Sequence, residues 1–176
     1  MYPFIRVTKE LIKNARATPL PITGTHVSHH MCWPWDIDLW RELNNGRTLT
    51  LYDLGRIPLA GRTGLSRMLI KNRWGLTMAG ASVRYRKRVR TFVRVEMRSR
   101  VVGWDDRFIY VEQSMWLRGE CANQIVYRSA VTDRNGIVPT ARVVEALGYD
   151  GQRPTMPDWV QAWIDADAQR PWPPEA

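Results

Sequence analysis

Apolar residues recur along this chain with two periods, and the change between them marks out its elements. Between residues 4 and 16, Phe4, Val7, Leu11, Ile12 and Ala15 follow helical spacing, which predicts a short amphipathic helix. Thr18-Pro19-Leu20-Pro21 stops it. Residues 26–33 alternate: Val27, His29, Met31 and Trp33 fall on one face of a predicted strand that Pro34 ends. Residues 35–46 are turn-rich, and Asn44 or Asn45 is positioned to cap a helix. That helix is expected from Arg47 to about Leu59. Leu49, Leu51, Tyr52, Leu54, Ile57 and Leu59 make it apolar on most of its circumference, so it should be buried on most sides. Gly55 and Pro58 predict close packing and an early end, and a second short helical stretch is expected over residues 65–70.

The period then becomes two. Residues 76–88 form one predicted strand, with Ala79, Ala81, Val83 and Tyr85 on one face. Residues 92–102 alternate most strictly: Val93, Val95, Met97 and Val101 face one way, Arg94, Glu96, Arg98 and Arg100 the other. Gly103-Trp104-Asp105-Asp106 reads as a hairpin turn. A third strand over 107–117, a turn at Arg118-Gly119-Glu120 and a fourth strand over 121–132 follow, closed by the turn Asp133-Arg134-Asn135-Gly136. Two short helices, 140–147 and 158–168, and a loose tail from residue 170 complete the chain. Consecutive hairpins give an antiparallel meander, and a helix that is apolar nearly all round needs a cover. The expected fold is therefore α+β: a curled antiparallel sheet wrapped around a central helix. Long strands at an open sheet edge invite pairing with a second copy.

Composition adjusts this picture only slightly. The chain has 176 residues, 44% of them hydrophobic, which suits one domain with a sizeable core. No apolar run is long enough to cross a bilayer, and charges from Arg6 onward argue against a signal peptide. A cytoplasmic location and no membrane partner are the expectation. Cys32 and Cys121 form no scaffold pattern and suit a reduced compartment. The net charge of +9 favours anionic partners, but the cations are 22 Arg against 4 Lys, a skew that GC-rich coding alone produces. Nucleic acid is not the expected partner, because no face interleaves aromatic and basic residues at strand spacing.

The chemistry concentrates between the first strand and the buried helix. Asp36 and Asp38, then Glu42, then Asn44 and Asn45 lead into the helix start. A helix start presents unpaired N–H groups that can polarise a carbonyl, and a carboxylate beside it can serve as base or nucleophile. Acidic residues before a helix also serve simply as caps. Trp33-Pro34-Trp35-Asp36-Ile37-Asp38, three residues, then Glu42-Leu43-Asn44-Asn45 resembles the active-site segment of the 4-hydroxybenzoyl-CoA-thioesterase-like hotdog family, most closely a branch reading W-P-x-D-I-D-x-x-x-H-M-N-N. Tyr52 to Arg56 resembles that family's helix, Ser82 to Arg86 its next strand, and Asp133 to Pro139 the close of its last strand, so the likeness spans about residues 25–140.

The resemblance implies a hotdog domain over the whole chain, assembled as a homodimer or dimer of dimers and hydrolysing an acyl-CoA thioester without a cofactor. It assigns Asp38 the carboxylate that activates water or attacks the carbonyl. Asn44 and Asn45 would brace the loop, while backbone N–H groups of Asn45, Gly46 or Arg47 would polarise the carbonyl. Two positions depart from the pattern: Glu42 replaces the family histidine, and Thr48 the usual aromatic. These departures motivate a second reading, a non-catalytic hotdog protein that binds an acyl-CoA, acyl carrier or lipid. The basic run with Arg84, Arg86 and Arg88 suits coenzyme A phosphates or a solvated strand end. His26 and His30 share a strand face and His29 points away, with no further ligand at matching spacing, so no metal is expected. Asp53 in the helix is expected to pair with Arg56 or Arg47.

Overall fold

The computed structural model describes residues 2–174. In chain order these form α1 (Phe4–Asn14), β1 (His26–Met31), α2 (Asn45–Leu51), α3 (Asp53–Arg62), α4 (Leu65–Asn72), β2 (Gly75–Tyr85), β3 (Arg94–Trp104), β4 (Ile109–Leu117), β5 (Glu120–Asp133), β6 (Gly136–Ile137), α5 (Thr140–Ala146) and α6 (Asp158–Ala168). Hairpins join β3, β4 and β5 as the turn signals predict. The sheet is antiparallel in the order β1-β3-β4-β5-β2, with β6 on β5. β1 and β2 therefore lie at opposite edges, and the chain between them, carrying α2 to α4, must cross one face. That crossing puts the apolar helix against the sheet.

Tyr52, Leu54 and Leu59 are buried against Met97, Met115 and Ile125, whose side chains alternate inward along their strands. Gln113 reaches up from β4 and donates to Tyr52 O (2.8 Å) and to Ser99 Oγ (2.7 Å), while Tyr52 Oη donates to Asn123 Oδ1. Gly55 lies where helix and sheet come closest: a Cβ there would stand 2.7 Å from Met97 Sδ and closer still to Ser99 Oγ. Gly55→Ala should cost roughly 1–3 kcal/mol by overpacking. Urea unfolding would measure it, and an unchanged midpoint would contradict the packing described. On the opposite sheet face Val160 and Trp163 of α6 cover Val102, Tyr110 and Val126, and Arg128 pairs with Asp167.

Several expectations need correction. The central helix is not one piece over 47–59. It begins at Asn45, breaks at Tyr52 and runs past Pro58 to Arg62. Pro58 is buried inside α3 and lacks an N–H to donate, yet the helix continues beyond it, with Thr63 N donating to Leu59 O (2.9 Å). The turn after β3 lies later than Gly103-Trp104 suggested. A register shift between Val101 and Gly103 carries the strand through Trp104, and Asp105 Oδ1 takes the N–H of Arg107 (2.8 Å) and Phe108 (2.7 Å) to close the turn. On β2 a shift between Met78 and Gly80 leaves Ala79 out of the pairing and breaks the predicted face. The predicted tail runs to residue 176, and its last two residues lie outside those described.

β1 turns its polar side inward. His26, Ser28 and His30 are buried while Val27 and His29 are exposed. α3 packs against this strand, and α1 brings its buried Glu10 to the same side. Ser28 Oγ and His30 Nε2 share a hydrogen bond (2.8 Å), and Arg62 Nη1 donates to His26 Nδ1 (3.1 Å). Glu10 Oε1 stands 3.9 Å from His30 Nδ1, beyond hydrogen-bond reach. Burial, then Arg62 and Lys13, holds His26 down to about 4; burial, then Arg6 and Lys13, holds His30 down to about 3. Both folded values lie below the ordinary histidine value near 6.5, so the unfolded chain binds more protons as pH falls through that value. Stability is thus full above about pH 6.5 and declines toward pH 4, by at most roughly 2–3 kcal/mol per histidine. Urea midpoints between pH 7.5 and 4.5 should fall accordingly, and a flat profile would contradict two neutral buried imidazoles.

Candidate active site

The loop from β1 to α2 is pinned by Asp36, which is fully buried. Arg47 donates to its Oδ1 through Nη2 (2.7 Å) and Nε (3.2 Å). Arg6 Nη1 (2.8 Å) and the Trp33 N–H (3.1 Å) donate to Oδ2. Burial alone would raise this carboxyl's pKa, but the hydrogen bonds from Arg47, Trp33 and Arg6 outweigh it and hold the group below its ordinary value. One carboxylate therefore fastens α1, the loop and α2 to one another.

Asp38 has a different task. Its Oδ1 accepts the N–H of Trp40 (2.8 Å) and Glu42 (3.4 Å), while Asp38 N donates to Glu42 O (2.9 Å) and Arg41 N to Asp38 O (3.1 Å). These bonds close a tight turn, with Arg41 in the left-handed region at φ 59°. The turn delivers Glu42 and Leu43, and Leu43 N donates to Val89 O (2.8 Å), tying the loop to the segment after β2. Asn44 is the cap, rather than Asn45: its Oδ1 accepts Arg47 N (3.1 Å) and its N–H donates to Asp36 O (2.9 Å).

Above the start of α2 opens a cleft of about 370 Å³, lined among others by Glu42, Asn45, Thr48, Tyr85, Arg88 and Asn123. Arg88 Nε donates to the Glu42 carboxylate (3.0 Å) across its mouth. Arg86 and Lys87 also line it, held there because both their N–H groups donate to Ala122 O (2.8 and 2.9 Å). Thr48, in place of the family aromatic, is buried and donates through Oγ1 to Asn44 O (3.1 Å).

Four of the residues singled out from sequence thus meet at the cleft: Glu42, Asn45, Arg86 and Arg88. Asp38 and Asn44 stand behind it as turn and cap, and Arg47 is directed at Asp36. Gly46 is exposed in the first turn of α2, and Arg84 is an exposed residue of β2 paired with Gln124. Asp53 pairs with Arg56, the first of its two expected partners, and accepts from Tyr2 Oη (2.9 Å). Sequence reasoning missed Tyr85 and Asn123. Their positions depend on the β2–β5 register, in which they are directly opposed. It also missed Asp36 as the anchor, although an arginine eleven residues on, Arg47, was a visible partner.

Chemically, the cleft brings together a carboxylate, two amide side chains, three cations and the first turn of an 18-residue helical run broken only at Tyr52. The family model described as the Thioesterase-like superfamily matches residues 32–164. Protein THEM6 of Drosophila melanogaster is 29% identical over 149 residues, covering 82% of this chain and 75% of that protein. Protein THEM6 of Xenopus laevis is 33% identical over 112 residues, covering 62% of this chain, which spans about half (54%) of that relative. A 1,4-dihydroxy-2-naphthoyl-CoA thioesterase from Synechocystis superposes with a TM-score of 0.61 at 10% identity, covering 72% of this chain and 97% of that one. An identity that low speaks for fold, and the fold is the hotdog arrangement that the sequence pattern led us to expect. With residues 32–164, most of the chain, matched by the family model, this protein belongs to the thioesterase-like superfamily.

Proposed function

We propose that the chain hydrolyses an acyl-CoA thioester at the cleft above α2. The observation that carries this is the convergence of Glu42, the start of α2 and the Arg86–Arg88 cations on one solvent-open cleft. Glu42 is the carboxylate that lines the cleft, and we assign it the general base. Asp38, the residue matched by the resemblance, holds the turn that presents Glu42. In the reaction a water gives its proton to Glu42 as its oxygen bonds to the thioester carbon. The oxyanion that forms faces the Asn45 and Gly46 N–H groups, the C–S bond then breaks, and the proton passes to the departing thiolate. Arg86, Lys87 and Arg88 bind the phosphates of the coenzyme. No cofactor enters this scheme.

We further propose that the working form is a homodimer. β2 ends the strand order, and its eleven residues expose Leu76, Met78 and Tyr85. A second copy pairing along that edge would cover them. The Glu42–Arg88 ion pair favours one alternative, a protein that binds acyl-CoA without turnover, because the guanidinium occupies the carboxylate that a water would have to reach. Free-thiol release from a panel of acyl-CoAs, run beside calorimetric binding, separates the two. We expect turnover of at least one member. Tight binding with no thiol released from any would replace hydrolysis by binding, and neither binding nor turnover would remove both readings.

A further inference from the structure

The first helix presents its apolar side to solvent. Phe4 is 71% exposed, Ile5 87%, Leu11 44% and Ile12 72%. At positions i, i+1, i+7 and i+8 they form one stripe along α1. Two of its charged residues turn inward instead: Glu10 is buried, and Arg6 spans to Asp36 (2.8 Å) and to Met31 O (2.9 Å). Lys9, Lys13 and Arg16 stand exposed beside the stripe, and the one carboxylate of α1, Glu10, is out of solvent.

The contacts of Arg6 place the start of α1 against the loop that follows β1. That loop carries a second apolar group: Trp35, stacked on Trp33 at 5.4 Å, and Leu39 and Trp40, which are 96% and 78% exposed. Arg41 and Arg90 are exposed nearby in sequence and in the segment that the loop contacts. Large apolar groups beside cations, with no exposed acid on the helix, are the complement of a phospholipid surface. Aromatic and aliphatic side chains enter the headgroup region while lysine and arginine meet lipid phosphates. A second copy fits less well, since two such helices face to face would bring Lys9 and Lys13 against their own counterparts.

We propose that α1 and the adjoining 33–40 loop dock on an anionic phospholipid bilayer. The surface lies on the membrane and does not cross it: among the described residues no helix is long and apolar enough to span one. The expectation of no membrane partner rested on run length, which bears on spanning and not on surface binding.

The test is sedimentation of the full chain with vesicles of phosphatidylcholine alone and of phosphatidylcholine mixed with phosphatidylglycerol. We expect it to sediment with the mixed vesicles only. Lys9→Gln with Lys13→Gln should weaken that binding by roughly tenfold or more. Ile5→Ser with Ile12→Ser should abolish it, as should Leu39→Ser with Trp40→Ser on the other element, which decides the matter if the helix variant fails to fold. Sedimentation with neither vesicle, equal sedimentation with both, or serine variants that bind like the parent would overturn the proposal. So would an Ile5→Ser, Ile12→Ser variant that turns a dimer into a monomer, which would assign the face to a second copy.

Discussion

Asp36→Ala is expected to cost roughly 3–5 kcal/mol of folding stability, the scale on which one partner is removed from a buried ion pair. The carboxylate is fully buried and accepts from two guanidinium groups and a backbone N–H. Its loss leaves Arg6 and Arg47 mostly enclosed with no anion between them, at side-chain exposures of 19% and 18%. It also unfastens α1 from α2. Against a typical total of about 5–15 kcal/mol, that is a large share. Thermal unfolding should show a fall of roughly ten degrees or more. Acid dependence gives a second reading. The folded pKa is depressed, so this stabilisation is present above the unfolded carboxylate value near 3.9 and is lost as pH falls through the folded one. The alanine variant should lack that acid component while keeping the histidine component at higher pH. A change under about 0.5 kcal/mol, ordinary for a surface substitution, would mean the pin carries no weight.

Glu42→Gln should lower kcat/KM for acyl-CoA hydrolysis by about a hundredfold or more, and Asp38→Asn should leave it within a few-fold of the parent. The contrast follows from geometry. Asp38 Oδ1 works as an acceptor for the N–H groups of Trp40 and Glu42, and the amide oxygen of asparagine accepts the same two bonds. Glu42 stands in the cleft, where an amide cannot take a proton from water. Thiol release under subsaturating substrate measures both. The reverse outcome, a silent Glu42→Gln and a dead Asp38→Asn, would return the base to Asp38 and require the turn to open on binding.

What the sequence revealed, and what it hid, has physical causes. β3 was legible because arginine and glutamate alternate strictly with Val95, Met97 and Val101, so only one face could be dry. The helix under the sheet was legible because nearly every side of it is apolar. β1 misled because the side chains that meet its buried face include Arg62 of α3 and Glu10 of α1, and periodicity carries no information about the chemistry of the cover. The same holds for α1, whose amphipathic pattern was plain but whose orientation was set by Arg6 reaching Asp36 thirty residues away. The motif gave the place of the site. It could not say which of Asp36, Asp38 and Glu42 would be buried, bent into a turn or left facing a cleft, because that depends on Arg6, Arg47 and Arg88 arriving from three other segments. Asn123 could be found only through its pairing with Tyr85 across the sheet.

The most direct test is a crystal structure with a non-hydrolysable acyl-CoA thioether. We expect the atom replacing the thioester carbonyl within roughly 4 Å of the Glu42 carboxylate and of the Asn45–Gly46 backbone, with Arg88 turned from Glu42 to a phosphate. A ligand seated elsewhere, with the Glu42–Arg88 pair undisturbed, would contradict it.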